Sequence, residues 1–511
     1  HEGVVDGGRP VVAVVELGGA RIAEALGKVE VKAPSQDALE VVVMHGHLKD
    51  GRLSNVSWLM ELPDSMSKLC WDNAVLMAPS LANTLGIKSA VVRNAYTADL
   101  VELTVDGRKI TAPVFVMPGL APYTLAINDG YGRAVGGVAQ GVGVDPNPLR
   151  AGGSVVTGVS LRKTGGTVSL CSTQDHFAVP GNPLKELTFA QMSAAKDGQD
   201  RALNLATRPL FRSGTAAEYA QDGGEKIARK GDMPVNLQEK GQKHKHRPSK
   251  PIQPHSEISY EGQQWGMVID LSACTGCNAC AVACVAENNI PVVGREQVML
   301  GREMHWIRVD RYYAGDIDQP LAAHQPVACM QCENAPCEPV CPVAATVHDE
   351  EGINSMAYNR CIGTRYCANN CPYKVRRFNY LDYTHTGDVY VEPMWAQRMK
   401  TLKLQRNPDV TVRYRGVMEK CTYCTQRVEE AKVLAKRDGK DRKALPDGAV
   451  VPACAQACPT DAITFGNIND EQSRVHALKL NPRNYEMLQE LNVRPRTTYL
   501  ARIRNENEEL A

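Results

Sequence analysis

The chain has 511 residues, a length that favours two to four domains over a single core. Its 58 basic and 57 acidic residues nearly cancel, which argues against a general nucleic-acid binder, because such proteins carry a strongly basic domain. No run of about 18 apolar residues occurs, so the sequence predicts no transmembrane segment.

Residues 1–207 contain short β-branched runs separated by glycine turns, as in LVELTVDGRKITAPVFVMPG. Such runs predict strands, so we expect a mostly β domain with a few short helices. Asp106 and Gly107 stand between two runs and predict a hairpin turn. The sequence starts at His1 as if inside a domain, so we expect a preceding N-terminal part.

The glycine-rich stretch NDGYGRAVGGVAQGVG follows these runs. Its Gly130, Gly132 and Gly136 do not match G-x-G-x-x-G, and no βαβ pattern surrounds them. Structural turns are therefore favoured over a nucleotide-binding loop.

Residues 208–262 are basic, rich in proline and poor in large apolar side chains. They predict an extended linker, because such a composition buries too little surface to fold alone. His244 and His246 suggest metal binding as an alternative, but a solvated basic tether is the favoured interpretation.

Residues 263–511 hold 15 of the 17 cysteines. The first two groups are CTGCNACAVAC, with the C-x2-C-x2-C-x3-C spacing of bacterial ferredoxins, and CMQCENAPCEPVCP. The third is CIGTRYCANNCP, and the fourth joins CTYC to the distant CAQACP. One C-x2-C pair could bind zinc, but four such groups, three with a Cys-Pro ending, predict iron–sulfur clusters. Cys70 and Cys171 stand apart in sequence and are interpreted as small buried residues.

The cysteine region resembles the four-cluster subunits that serve molybdopterin oxidoreductases such as polysulfide and dimethyl sulfoxide reductases. MELPDSMSKLCWDNAVLMAPSLANTLGI and PVFVMPGLAPYTLAINDGYGRAVGG resemble the C-terminal domain of the molybdopterin oxidoreductase superfamily. Together with CIGTRYC, the two regions resemble the large iron–sulfur subunit of the alternative complex III. The implied fold class is α+β: a double-psi β-barrel, without molybdopterin, and then a duplicated ferredoxin-like four-cluster domain.

The likeness to ferredoxins also implies how the cysteine groups combine, because the last cysteine of one group serves the paired cluster. The implied four-iron sets are Cys274, Cys277, Cys280 and Cys458; Cys421, Cys424, Cys454 and Cys284; and Cys329, Cys332, Cys337 and Cys371. The remaining cysteines, Cys361, Cys367 and Cys341, share the last site with Thr364.

Thr364 occupies the position where the ferredoxin spacing requires a cysteine. A hydroxyl is too weak an acid to replace a thiolate, so this site is predicted to hold a three-iron cluster. Loss of the whole site is the alternative. The other cysteines and Pro372 keep their spacing, and Gly363 still offers a tight turn. Three 4Fe-4S clusters and one 3Fe-4S cluster therefore use all 15 cysteines.

The resemblance implies an electron-transfer subunit without a catalytic site of its own. It would pass electrons from menaquinol, oxidised in an integral membrane subunit, to c-type haem subunits of one complex. The chain would lie peripherally on the periplasmic (extracytoplasmic) face of the cytoplasmic membrane. The alternative is the C-terminal half of a molybdenum-dependent reductase. Lys374, Arg376 and Arg377 follow the third group and could either contact a partner or compensate cluster charge.

Overall fold

The structure is a computed structural model that describes residues 33–92, 95–150, 153–174, 210–229, 260, 262–315, 317–384 and 403–505. The predicted start within a domain and the histidines His244 and His246 lie outside the described residues. None of the described helices is both long enough and apolar enough to span a membrane.

Seven strands build the first domain. They are β1 Leu39–Met44, β2 Val75–Met77, β3 Ser89–Val92, β4 Ala95–Val105, β5 Arg108–Val116, β6 Thr124–Asn128 and β7 Val155–Leu170. The strands pair in the order β3-β4-β5-β2-β6-β1-β7, and β4 also pairs with β7, so β4, β5, β2, β6, β1 and β7 close into a ring. A closed ring leaves few unpaired strand edges. The double-psi crossing of a barrel stays a prediction.

Buried and partly buried side chains alternate along the strands, and the buried ones fill the interior of the ring. In β1 the side chains of Leu39, Val41 and Val43 are buried, and the intervening residues are only partly buried. The predicted turn at Asp106 and Gly107 is confirmed: both have positive φ, and Val105 pairs with Arg108 in the antiparallel β4–β5 hairpin.

Short helices complete the first domain. They are α1 Ser57–Met60 and α2 Pro79–Leu85, with a 3-10 turn at Asn147–Leu149. Proline in the first turn of α2 and left-handed Gly86 at its end fix the limits of that helix.

Residues 210–229 correct the predicted extended linker, because this part of it is folded. It contains β8 Ser213–Thr215, α3 Ala216–Asp222 and α4 Glu225–Arg229. Thr215 and Glu218 form a reciprocal capping box that starts α3, a signal present in the sequence but not used above. β8 also pairs in parallel with the strand Arg502–Arg504 near the end of the chain. This strand provides backbone hydrogen-bond partners for β8, which the composition of the segment cannot reveal.

The cysteine-rich domain combines small sheets with short helices. Its strands are β9 Trp265–Asp270, β10 Arg308–Gly315, β11 Pro320–Val327, β12 Thr346–His348, β13 Asn354–Met356, β14 Arg377–Phe378, β15 Met418–Glu419, β16 Ile463–Asn467, β17 Asn484–Tyr485, β18 Thr497–Leu500 and β19 Arg502–Arg504. Its helices are α5 Ala279–Glu287, α6 Arg295–Met299, α7 Tyr366–Asn370, α8 Thr425–Arg437, α9 Ala453–Gln456 and α10 Arg474–Lys479, with 3-10 turns at Tyr358–Arg360, Lys403–Gln405 and Gln489–Leu491.

The largest sheet of this domain has the order β16-β9-β18-β17 and brings the ends of the domain together. β9 leads into the first cysteine group, and β16 follows the last cysteine, Cys458. The antiparallel pairing of β9 with β16 therefore places residues 194 to 202 positions apart in sequence side by side. The internal duplication predicted from the repeated groups stays a prediction.

The two domains contact each other through hydrogen-bonded polar side chains. The fully buried Glu61 carboxylate accepts bonds from the backbone N–H groups of Val293 and Gly294, at 3.0 and 2.8 Å, and from the Trp71 indole at 3.2 Å. Arg295 forms an ion pair with Asp72 at 2.9 Å. These contacts join the first domain to the segment that follows α5.

Candidate metal centres

The first centre forms where β9 ends and α5 begins. Gly276 has φ +72, and a Cβ there would lie 2.3 Å from the ring of His324, so the tight loop requires glycine. Burial is the main cause that raises the pKa of Cys280. The field of three neighbouring thiols, those of Cys274, Cys277 and Cys458, adds to it, and together they bring the pKa to about 12. The structure thus brings together the four thiols predicted as one set.

The second set to assemble is the one containing Cys284. Burial raises the pKa of Cys284 well above its usual value, and so does the field of its neighbours Cys421, Cys424 and Cys454. The buried Asn288 amide lies 3.5 Å from the Cys284 sulfur and 3.9 Å from the Cys424 sulfur, so one donor faces two thiols of the set. Amide donors of this kind orient and stabilise thiolate ligands.

The third set surrounds a small cavity. Four of the residues that line it are the predicted ligands Cys329, Cys332, Cys337 and Cys371. All four side chains are buried in the main core of the domain, so a cluster here would be shielded from water.

The last set surrounds a separate small cavity. Its lining includes Cys341, Cys361, Cys367 and Thr364, the three cysteines and the threonine predicted to share one site. Gly363 has φ +75, and a Cβ there would lie 2.5 Å from the Gly416 carbonyl oxygen. Only glycine fits at position 363 without a clash, so the loop before Thr364 is tightly constrained.

Backbone N–H groups point at several of these sulfurs. Ala345 donates to Cys341 at 3.2 Å, and Ala462 donates to Cys458 at 3.3 Å. At Cys341 burial acts to raise the pKa, but three such backbone bonds outweigh it and lower the pKa below the usual value. N–H donors to sulfur stabilise the thiolate form that iron requires and tune cluster potentials.

The four sets are neighbours in one order, here called a line. Cys280 and Cys284 lie four residues apart on α5 and are members of neighbouring sets. Cys421 lies within the electrostatic field of Cys329, which makes the set of Cys284 a neighbour of the set of Cys329. Arg376 lines both cavities and joins the last two sets. The line therefore runs from the set of Cys274 to that of Thr364.

Arg376 is a buried cation between two thiol sets. Its Nη1 atom contacts Thr346 and Asn354 at 3.4 and 3.5 Å. Burial lowers its pKa, but the sulfurs around it, those of Cys337 and Cys367 foremost, raise that pKa above the usual value. The basic stretch is expected either to contact a partner or to compensate cluster charge. Arg376 is buried among the sulfurs, a position that suits charge compensation.

The neighbours of Arg376 take other positions. Arg377 pairs with Glu303 at 2.7 Å inside the domain, whereas Lys374 is exposed. Of the three cations in the stretch, Lys374 is the one left at the surface for a partner.

Lys68 from the first domain provides an observation that sequence reasoning missed. Its side chain is 1% exposed, and its ammonium has no hydrogen-bond partner among the described residues. Burial and the neighbouring Arg311 lower its pKa to about 7, and the fields of Asp310, Asp64 and, least of the three, Cys274 act in the opposite direction. A buried cation without a partner is costly, and an anionic thiolate-bound cluster would supply the missing charge. The buried Lys68 ammonium near the Cys274 set therefore fits an anionic iron–sulfur cluster at that set.

No three His, Cys, Asp or Glu side chains within the described ranges converge closely enough to hold a single metal ion. Thiolates of an iron–sulfur cluster each bind a different iron, so they need not converge on one point. The ligand assignments themselves stay predictions.

The glycine-rich stretch of the first domain forms packed turns. A Cβ at Gly130 would lie 2.9 Å from the Lys49 carbonyl oxygen, and one at Gly132 would lie 2.2 Å from the Asp145 nitrogen. Their positive φ angles and close backbone contacts explain these glycines as structural turns.

Comparison with known proteins places these centres in context. A family model described as a 4Fe-4S dicluster domain matches residues 322–388. The chain is 44% identical over 245 residues to the iron–sulfur cluster-binding subunit of menaquinone reductase from Nitratidesulfovibrio vulgaris, covering 47% of this chain and 89% of that protein.

Two further relatives share this similarity. The chain is 34% identical to a putative dimethyl sulfoxide reductase iron–sulfur subunit from Halobacterium salinarum, over 46% of this chain and 78% of the relative. It is 30% identical to a polysulfide reductase component from Wolinella succinogenes, over 46% of this chain and 92% of the relative.

Proposed function

The protein belongs to the family of iron–sulfur cluster-binding subunits of menaquinone, dimethyl sulfoxide and polysulfide reductases, and on that premise we propose that it carries electrons from menaquinol to c-type haem partners. The single observation that carries the proposal is the line of four thiol sets through one domain. Three 4Fe-4S clusters and one 3Fe-4S cluster, each exchanging one electron, would supply the redox chemistry along this line.

The Thr364 end of the line is the proposed entry for electrons. Thr364 is exposed, and beside it Ile362 and Tyr366 are 65% and 55% exposed. Exposed apolar side chains at a redox centre suit a protein–protein interface, so we assign this end to an integral membrane subunit that binds menaquinol. A three-iron centre is a suitable acceptor of relatively high potential.

The other end of the line is the proposed exit. Cys277 of the first set is exposed. Lys68 of the first domain is buried and lies within the electrostatic field of Cys274, a member of the same set. The first domain is therefore proposed to position this end of the line for a c-type haem partner, without binding molybdopterin. The chain would lie on the periplasmic face of the membrane in a multi-subunit complex resembling the alternative complex III.

A molybdenum-dependent reductase is the second candidate, and the relatives named for dimethyl sulfoxide and polysulfide reductase favour it specifically. The name of the menaquinone reductase relative also indicates electron flow in the opposite direction, towards menaquinone. Since a line of clusters conducts both ways, the partners decide the direction. Stoichiometric molybdenum and pterin in the purified complex would favour this second candidate.

The proposed direction can be tested on the complex purified from membranes. Anaerobic addition of menaquinol should remove the paramagnetic resonance signal of the oxidised three-iron centre and then reduce c-type haem. A parallel sample that receives oxidised menaquinone serves as the control and should show neither change. The proposal fails if menaquinol leaves the centres oxidised while an external reductant reduces them.

A further inference from the structure

The only two cysteines outside the cluster groups, Cys70 and Cys171, lie side by side in the first domain. Their sulfur atoms are 3.7 Å apart, although 101 positions separate them in sequence. Both side chains are fully buried. Their isolation in sequence led to their interpretation as unrelated small residues, so the sequence alone did not reveal this pair.

The backbone holds the two residues directly opposite each other. The Cys70 N–H donates to the Cys171 carbonyl oxygen at 3.1 Å. The adjacent residues Leu69 and Ser172 form an antiparallel bridge. In such a ladder, directly opposite residues have Cβ atoms about 4.5–5.5 Å apart, close to the separation that a disulfide bond spans. A further approach of the two residues, together with side-chain rotation, would join the sulfurs, which are 3.7 Å apart.

We propose that Cys70 and Cys171 form a disulfide bond in the mature protein, formed by thiol–disulfide exchange with an oxidising protein disulfide. The Cys70 and Cys171 sulfurs bond to each other and lose two protons and two electrons. The protein disulfide accepts both electrons and protons, and its own sulfur–sulfur bond breaks to give two thiols. The inference rests on the extracytoplasmic location in the proposed function, because such bonds persist in oxidising compartments.

The surroundings indicate that the exchange precedes burial. The pair lies among apolar side chains that include Leu48, Met60 and Tyr131. Burial raises the pKa of the Cys70 thiol well above its usual value, so the folded protein holds almost no reactive thiolate there. An oxidant would therefore act on the partly folded protein, and the finished bond would be protected from reduction.

The bond would fix the surface on which the cysteine-rich domain docks. Asp72 lies two residues after Cys70, and its carboxylate accepts the Cys171 N–H at 3.0 Å while it pairs with Arg295 of the other domain. The same arginine donates to the Ser169 carbonyl oxygen at 2.5 Å. The disulfide would thus join the two segments that Arg295 holds, the Cys70 segment and the end of β7.

Cysteine mapping of the complex purified from its native membranes tests the inference. The sample is denatured in acid, transferred to neutral denaturant that contains excess N-ethylmaleimide, and digested without reductant. We expect one linked peptide pair containing Cys70 and Cys171, which separates on reduction, while the 15 cluster-group cysteines carry the maleimide. Maleimide on both Cys70 and Cys171 before reduction would overturn the inference.

Variants separate this inference from the proposed function. Cys70→Ser should abolish the linked peptide and leave Cys171 alkylated; a new link from Cys171 to a cluster-group cysteine would show that links form during denaturation and would overturn the assignment. The double variant Cys70→Ala, Cys171→Ala should keep menaquinol-driven reduction, because neither residue is a member of a thiol set. Free thiols in wild type together with normal electron transfer would refute only the disulfide.

Discussion

Replacing Thr364 with cysteine should convert the proposed three-iron centre to a four-iron cubane and abolish its resonance signal in the oxidised protein. Position 364 lines the cavity with Cys341, Cys361 and Cys367, and tightly packed Gly363 fixes the loop before it. A new thiolate there would supply the fourth ligand that iron lacks. Thr364→Ser is the matched control: it keeps a hydroxyl, so the three-iron signal should remain.

The conversion should also slow electron entry. A fourth thiolate adds negative charge, so the potential of the centre should fall. Each fall of about 59 mV in a one-electron couple lowers the equilibrium constant for its reduction tenfold. A fall on the order of 100 mV would therefore lower menaquinol-driven reduction at least about tenfold. Resonance-monitored potentiometry and quinol kinetics check the two steps. Unchanged turnover in a converted protein would show that this centre is not the entry.

Replacing Arg376 with methionine should lower the potentials of two centres at once. The guanidinium lines both cavities, is 6% exposed, and through its charge opposes the burial that raises the pKa of the Cys367 thiol. A unit charge about 7 Å from a redox centre contributes about 2 kcal/mol at an effective dielectric constant of about 20. That energy corresponds to about 100 mV for one electron, so both centres should become harder to reduce by about this amount.

Lys374→Met is the control for Arg376→Met, because it removes the same charge from the surface two residues earlier. Solvent screens an exposed charge, so its removal should shift neither potential by more than a small fraction of that amount. Redox titration of both variants at unchanged iron content makes the comparison. Equal shifts in the two variants, or a shift of one centre alone, would refute the position assigned to Arg376.

Spacing within the cysteine groups predicted which thiols lie together, because C-x2-C loops are local and the family resemblance supplied the distant partners. The sets around Thr364 and Cys371 line the two cavities as the sequence analysis groups them. Local signals also predicted the hairpin at Asp106 and Gly107. These features depend on residues that are close in sequence or on a known pattern.

Long-range packing was not readable from the sequence. Lys68 of the first domain lies within the electrostatic field of the Cys274 thiol, and no periodicity links the two residues. Cys70 and Cys171 meet because β7 returns to the segment before β2. The division of roles between Arg376 and Lys374 depends on burial alone. Each of these features needs the three-dimensional arrangement of segments that are remote in sequence.

All 15 cysteines of the second domain are proposed to hold three four-iron clusters and one three-iron cluster. This cluster content can be measured by iron quantitation combined with Mössbauer spectroscopy of the anaerobically purified complex. We expect about 15 irons per chain and, in the oxidised state, one three-iron centre beside three four-iron centres. A count of about 8 irons, zinc in place of iron, or about 16 irons without a three-iron centre would contradict it.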